Sequence, residues 1–407
     1  MEDEATLFIR QPCVFSFEDA LKLQPMSRLE MVMSTLDLKP ILAMVPKYRT
    51  GPKGYRFEAK LRALLAARIE RIIGMAALVR RLKYDPIFRF ACGFDVIGPV
   101  PSEAAFSRFN DKVTKMKGLE PVFQSLVSLA ETMELIDGSV VSIDATKLDA
   151  YEKSKPQKYI SPDGQNADWG VKRDTDGNKT KWFGYKLHQS VDAKSGLPLA
   201  ITITSASVHD TQPVVELMNK TRANLAGNPS YWVMDAAYDS LNIYETVMND
   251  FHAQAIIALN HRGAKQPKAG YDFDGTPVCS AGFKMTYWGH HHGINKFRCP
   301  HVLGKVDCPF GSAWCSSSNY GLVVKTKAKD DPRMFNTPHR GSSNWKQLYN
   351  QRTASERCFG RQKEHLGLDE IRHRGVEKVE THAYLCNIAL LATVIAINTP
   401  EKANVAA

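Results

Sequence analysis

Tyr349, Arg352, Glu356 and Lys363 stand at offsets 0, 3, 7 and 14. On a helix of 3.6 residues per turn these positions fall within a sector of roughly 60°, spread along about 21 Å of axis. That spacing ordinarily marks an apolar stripe facing a core. Here it aligns a phenol, two cations and a carboxylate, a face better suited to a metal ion and a phosphate backbone. Two further carboxylates close β-branched or aromatic runs: Asp144 in SVVSIDATK and Asp235 in SYWVMDAAY. Phosphodiester chemistry uses carboxylates that hold two Mg2+ ions about 3.5–4 Å apart, one activating the nucleophile and one stabilising the leaving oxygen. Strand ends hold such carboxylates rigidly beside a cleft. Each residue also has a plainer reading. A lone Asp at a strand end is ordinarily a turn or cap residue, and Arg352 with Glu356 makes an i, i+4 surface pair worth a few tenths of a kcal/mol.

The elements that must position these acids can be read from the periodicity. Residues 1–27 read as an irregular leader and 28–135 as a helical N-terminal domain. Within it Phe57, Leu61, Leu64, Leu65, Ile69, Ile72 and Ile73 keep helical spacing, decorated by Arg62, Arg68, Arg71, Arg80, Arg81 and Lys83, and Ser102 is a plausible N-cap. Strand periodicity begins after Gly138. Residues 136–261 read as the first part of a mixed sheet flanked by helices, with a mobile loop over 151–181. A hairpin turns at Asp192–Gly196, with glycine in the left-handed position. Residues 262–345, rich in Gly, His, Cys and aromatics, read as a β-rich insertion. Residues 346–400 complete the core with the Glu356 helix and a last apolar helix, and 401–407 form a tail.

Bulk properties narrow the function. The 407 residues are enough for two or three domains and a large core. A formal net charge of +10 favours a polyanionic partner. The start, MEDEATLFIR, lacks the order of an export signal, and the run Ile388–Ile397 is too short to span a bilayer. We therefore expect a cytoplasmic protein with no membrane partner and reduced cysteines.

With these blocks in place the chain resembles the DDE transposases of bacterial insertion sequences, in the branch with a Y-(2)-R-(3)-E-(6)-K signature. Tyr349, Arg352, Glu356 and Lys363 match at every spacing. SIDATK and VMDAAYDS resemble the first and second acidic motifs, and GYKLH and SVHD the strand and loop between them. The resemblance implies a ribonuclease H-like catalytic core in which Asp144, Asp235 and Glu356 bind two Mg2+ (or Mn2+) ions. It implies cleavage at transposon ends, strand transfer into target DNA, and action as a homodimer on terminal inverted repeats. Arg352 and Lys363 would then hold DNA phosphates, and Tyr349 would bond one through its hydroxyl. The helical domain 28–135 would bind DNA, with Arg80 and Arg81 as candidate phosphate contacts and a solvated helix face as the alternative. Two other functions stay open: a ribonuclease H-like nuclease that cuts without joining, and a transposase-derived DNA-binding protein that has lost catalysis.

The insertion carries Cys279, Cys299, Cys308 and Cys315 at spacings C-x19-C-x8-C-x6-C. Four thiols in a reducing compartment suggest structural Zn2+, although the paired CxxC knuckles of common zinc modules are missing. Cys13, Cys92, Cys358 and Cys386 read as packing residues. Insertions at this point in the family contact the transposon end. Trp288, among Tyr287, Lys296, Phe297 and Arg298, is a candidate to stack on an unpaired base; packing of the insertion core is the alternative.

Overall fold

The computed structural model describes residues 16–23, 27–46, 54–154, 167–173, 178–311 and 313–399. Eight helices come first: α1 (Phe17–Leu23), α2 (Ser27–Ser34), α3 (Lys39–Ala43), α4 (Phe57–Ile69), α5 (Met75–Tyr84), α6 (Pro86–Ala91), α7 (Glu103–Met116) and α8 (Leu119–Thr132). Local chemistry sets several of their ends. The Ser102 hydroxyl accepts from the Ala105 amide at 3.2 Å and starts α7. The Asp85 carboxylate accepts from Phe88 at 2.8 Å, with Pro86 at the first helical position of α6.

Three features of this half depart from what the sequence periodicity predicts. Residues 17–23 of the supposed leader are helical, and residues 1–15 lie outside the described residues. The α4 helix stops at Ile69, short of Ile72 and Ile73, because Arg71 adopts a left-handed backbone (φ 49°) and the Ile72 amide turns back to the Ala67 carbonyl. Arg68 does not decorate a solvated face. It is buried, and its Nη1 lies 3.3 Å from Nδ1 of His382.

The sheet is built from β1 (Val140–Asp149), β2 (Asp168–Arg173), β3 (Lys179–Asp192), β4 (Pro198–Ser205), β5 (Tyr231–Met234) and β6 (Gln254–Ile257). The β1 strand lies antiparallel to β3 and parallel to β5, which is in turn parallel to β6; β4 and β2 pair with β3. The run β4-β3-β1-β5-β6, three antiparallel strands followed by two parallel ones, is the strand order of a ribonuclease H-like sheet. Gly196 takes φ 68° in the β3–β4 hairpin, as the sequence requires. Residues 151–181 are less open than expected. β2 zips onto the first half of β3, where the cross-strand pair Trp169 and Phe183 place their rings 5.5 Å apart; residues 155–166 and 174–177 lie outside the described residues.

On one face of the sheet lie α9 (Val214–Asn224) and α10 (Leu241–Asn249); on the other lie α11 (Ser343–Asn350), α12 (Thr353–Leu366) and α13 (Val376–Asn398). The α11 helix rests Trp345 and Leu348 on Val233 and Ile256. A chain of amides, Gln189, Gln362 and Asn387, ties β3 to α12 and α13 at 3.2 and 2.8 Å. By length and composition α13 is apolar enough to cross a bilayer, but 78% of its most apolar window is buried among the other elements, so it serves as a core helix. Cys92, Cys358 and Cys386 are buried, as read; Cys13 lies outside the described residues.

The insertion carries its own antiparallel sheet of β7 (Thr286–His291), β8 (Ile294–Arg298) and β9 (Val323–Lys327), in that order. Its return segment covers the edge of the main sheet. Asn336 donates to the Ala255 carbonyl and Arg340 to that of Ile257, occupying acceptors that β6 would otherwise leave unpaired.

Candidate active site

Asp144 and Asp235 are brought together by strand register. Ser142 of β1 pairs in parallel with Val233 of β5. Two residues further along each chain stand Asp144 and Asp235, so both project from the same face of neighbouring strands about 5 Å apart; Asp235 follows the last residue of β5, whereas Asp144 does not close its strand as expected but lies in the middle of β1, which runs on to Asp149 against β3. That face is the one α12 covers. The Ser142 hydroxyl contacts the Arg352 carbonyl at 3.1 Å and the Ser355 hydroxyl at 2.7 Å. Two positions beyond Asp144, Thr146 accepts from Lys363 Nζ at 2.7 Å. Asp144 is thus bracketed by contacts to both ends of the α12 segment that carries Glu356.

The electrostatics agree with this placement. Burial pushes the Asp144 carboxyl up to about 6, against the Ala145 amide that donates to it, and the charge of Asp235 pushes in the same direction. Asp235 is raised as well, chiefly by burial, although the Ala237 amide donates to it at 2.8 Å. Arg352 opposes both shifts, and its Nη1 bonds Glu356 Oε1 at 2.7 Å. One guanidinium therefore sits within electrostatic reach of all three acids. Among the described residues, no three His, Cys, Asp or Glu side chains already form a metal-holding set. The two aspartates nonetheless form a partly buried, mutually repelling pair, the donor set that a hard divalent cation relieves.

The four-residue stripe is not one straight helix. At Gln351–Arg352 the amides bond three residues back, with Gln351 to Leu348 and Arg352 to Tyr349, and this tight turn separates α11 from α12. Arg352 becomes the residue before α12, and Glu356 lies in its first turn, where a carboxylate suits the helix dipole. Tyr349 lies in the last turn of α11, its ring stacked on Trp345 at 4.8 Å, and burial raises its phenol. Lys363 is partly buried, and that burial lowers its ammonium.

Three neighbours escaped the sequence reading. Tyr238, three residues after Asp235, is fully buried, its phenol raised well above its usual value by burial and by the charges of Asp144, Asp210 and Asp235. Lys186 bonds Asp210 at 2.8 Å on the opposite face from Asp144. Lys172 of β2 contributes positive charge to both aspartates. Tyr238 looked like the end of a strand; a 3-10 turn, Ala236–Tyr238, folds it inward instead.

Other candidates lie elsewhere. Arg80 and Arg81 line an open groove beside α5 with Leu23 and Tyr84, and Arg81 is paired with Asp85 at 2.9 Å. Trp288 stands 51% exposed on β7, with the Arg298 guanidinium 4.4 Å from its ring, so it does not pack the insertion core. Cys279, Cys299, Cys308 and Cys315 line one small cavity. His188 sits buried on the far face of the sheet, bonded to Thr204 at 2.8 Å.

Comparison with known proteins supplies the family. The family model described as Transposase DDE domain matches residues 136–392. A second, described as Transposase domain (DUF772), matches residues 17–112. No curated protein matches. Among solved structures, a piggyBac transposase synaptic complex with hairpin DNA shares 12% identity over 91% of this chain and 74% of that one, at a TM-score of 0.39. With its larger part matched, and its sheet carrying two paired aspartates beneath the helix of Glu356, the chain belongs to the DDE transposase family.

Proposed function

We propose that Asp144, Asp235 and Glu356 are the acids through which this transposase holds its divalent metal, in the Y-(2)-R-(3)-E-(6)-K branch of the family. The family's chemistry is metal-dependent DNA cleavage and strand transfer, here at the inverted repeats ending a mobile element and into target DNA. One observation carries the assignment: the Ser142–Val233 register sets Asp144 beside Asp235 on the face that α12 covers.

Two Mg2+ or Mn2+ ions at such a site supply a water made nucleophilic and a counter-charge at the leaving oxygen. The protein's own groups do the rest. Above about pH 6 Asp144 is ionised and would help hold such an ion. Arg352, bonded to Glu356 without DNA, exchanges that partner for a phosphate oxygen and frees the glutamate to join the aspartates. Lys363, held on Thr146, and the Tyr349 hydroxyl flank the same phosphate path. Arg80 and Arg81 contact the backbone of the terminal repeat, and Trp288 stacks on an unpaired base at the end. The active species is a homodimer on DNA.

The test uses a duplex bearing the inverted repeats that flank the reading frame. Asp144→Asn, Asp235→Asn and Glu356→Gln should each reduce Mg2+-dependent cleavage by at least about a thousandfold while gel-shift affinity stays within about threefold. Wild-type cleavage by any one of them refutes the triad. Pre-cleaved ends separate the alternatives, since a nuclease without joining activity leaves them untransferred.

A further inference from the structure

Between β8 and β9 the chain runs from Cys299 to Leu322 without a helix or a strand, and no described residue from His301 to Tyr320 is buried. Its largest apolar side chains, Phe310 and Trp314, stack on each other at 4.6 Å yet are 56% and 55% exposed. Apart from Cys299 to Leu322, its backbone hydrogen bonds span only a few residues: Gly304 to His301, Lys305 to Pro300, Gly311 to Cys308 and Gly321 to Ser318. A stretch of this length with no core of its own needs another tether.

The four cysteines supply one. They come from three separate pieces of chain: Cys279 from the turn before β7, Cys299 from the end of β8, and Cys308 and Cys315 from the irregular segment. All four line a single cavity of about 10 Å³, together with His301. That is the volume of one water-sized sphere, so the space suits an ion and excludes an organic ligand. Two of the cysteines open turns of the same form. In Cys279-Ser280-Ala281-Gly282 and Cys308-Pro309-Phe310-Gly311 the glycine amide donates to the cysteine carbonyl, at 2.8 and 3.1 Å, and the glycine takes φ 82° and 65°. Each is a tight loop that presents a thiol at its start, and sequence spacing alone did not reveal the pairing because no CxxC is involved.

We propose that Cys279, Cys299, Cys308 and Cys315 bind one structural zinc ion that fastens the 299–322 segment to the turn before β7. The four thiols line the cavity without yet forming a coordination shell. Side-chain rotation must bring the sulfurs to about 2.3 Å from the ion, and each thiol releases its proton to solvent as its bond to zinc forms. Soft thiolates favour zinc over the hard cations of the carboxylate site. The site lies outside the catalytic face and stands whether or not the triad assignment does.

Metal analysis of the full-length chain purified without chelator should give about one zinc per chain. Removing the zinc and adding Co2+ should produce near-ultraviolet thiolate-to-cobalt charge-transfer bands and visible bands of tetrahedral intensity. Cys308→Ser with Cys315→Ser should abolish both, while Cys13→Ser leaves them unchanged. Chelation should speed tryptic cleavage at Lys305 by about tenfold or more. Zinc well below one per chain without cobalt bands, zinc retained by the double variant, or bound iron in place of zinc would each overturn the proposal. The cobalt spectrum of the unaltered protein decides the matter even if the double variant does not fold.

Discussion

Asp144 carries the clearest strain at the scale of one residue. Its carboxyl ordinarily ionises near 3.8, and in the fold it does so near 6. The folded protein therefore holds this proton to higher pH than the unfolded chain does, and ionisation costs the fold stability. That cost is absent below about pH 4 and complete above about pH 6. Asp144→Asn should accordingly stabilise the metal-free protein at pH 8 by on the order of 1–3 kcal/mol, with the gain vanishing at pH 4. Thermal melts at the two pH values without divalent cation check this; equal melting temperatures at pH 8 would mean that Asp144 is not electrostatically strained. With Mg2+ added, the wild type should gain more than the variant, because the ion supplies the missing counter-charge.

At the scale of elements, the attachment of the insertion is the part the sequence concealed. Asp239, four residues after Asp235, has a fully buried side chain that accepts from Arg333 Nε and Nη2 at 3.0 and 2.7 Å and from the Asn260 amide at 2.9 Å. Arg333 comes from the far end of the insertion, so this forked pair joins the insertion to the loop that carries Asp235. Arg333→Ala leaves a buried carboxylate without its cation and should destabilise the protein by about 3 kcal/mol; adding Asp239→Asn should recover part of the loss. Denaturant titration measures both, and a loss below about 1 kcal/mol would show that the pair does not tether the insertion. Nothing local to VMDAAYDS points Asp239 to an arginine 94 positions away. The break between α11 and α12 was hidden for a similar reason: it accompanies the seating of Arg352 and Ser355 against the distant Ser142 of β1.

Taken whole, the molecule is organised around α13, which touches α2, α4, α7 and α8 as well as β4 and α12. Thr381 meets Thr114 at 2.9 Å, Lys378 pairs with Asp111 at 2.6 Å, and His382 receives Arg68, so the matched N-terminal helices and the sheet share one core. The fold buries several neutral imidazoles: His382 in that core, His188 on the far face of the sheet and His339 within the insertion. Burial lowers His188 and His339 to about 4 and His382 to about 3, from an ordinary 6.5. Because the unfolded chain takes up these protons first, the stability they guard is full above about pH 6.5 and is lost as pH falls toward 4, on the order of 1–3 kcal/mol for each histidine. Three histidines outweigh the opposite trend of Asp144. The melting temperature should therefore fall steadily between pH 7 and pH 5; a flat profile across that interval would contradict the burial of these rings as neutral groups.

The sequence by itself determined what recurs over a few residues: the strand runs that carry Asp144 and lead to Asp235, the Ser102 cap, the Gly196 turn, and the 0, 3, 7, 14 offsets around Glu356. Backbone sterics and side-chain period act locally, so they leave a mark in local sequence. Only tertiary structure decided that Ser142 registers with Val233, that the stripe bends at Arg352, that Arg68 is buried against His382, and that four widely spaced cysteines surround one cavity. Each of these depends on which distant surfaces bury one another, a balance of packing and desolvation summed over the whole chain that no short window of sequence contains.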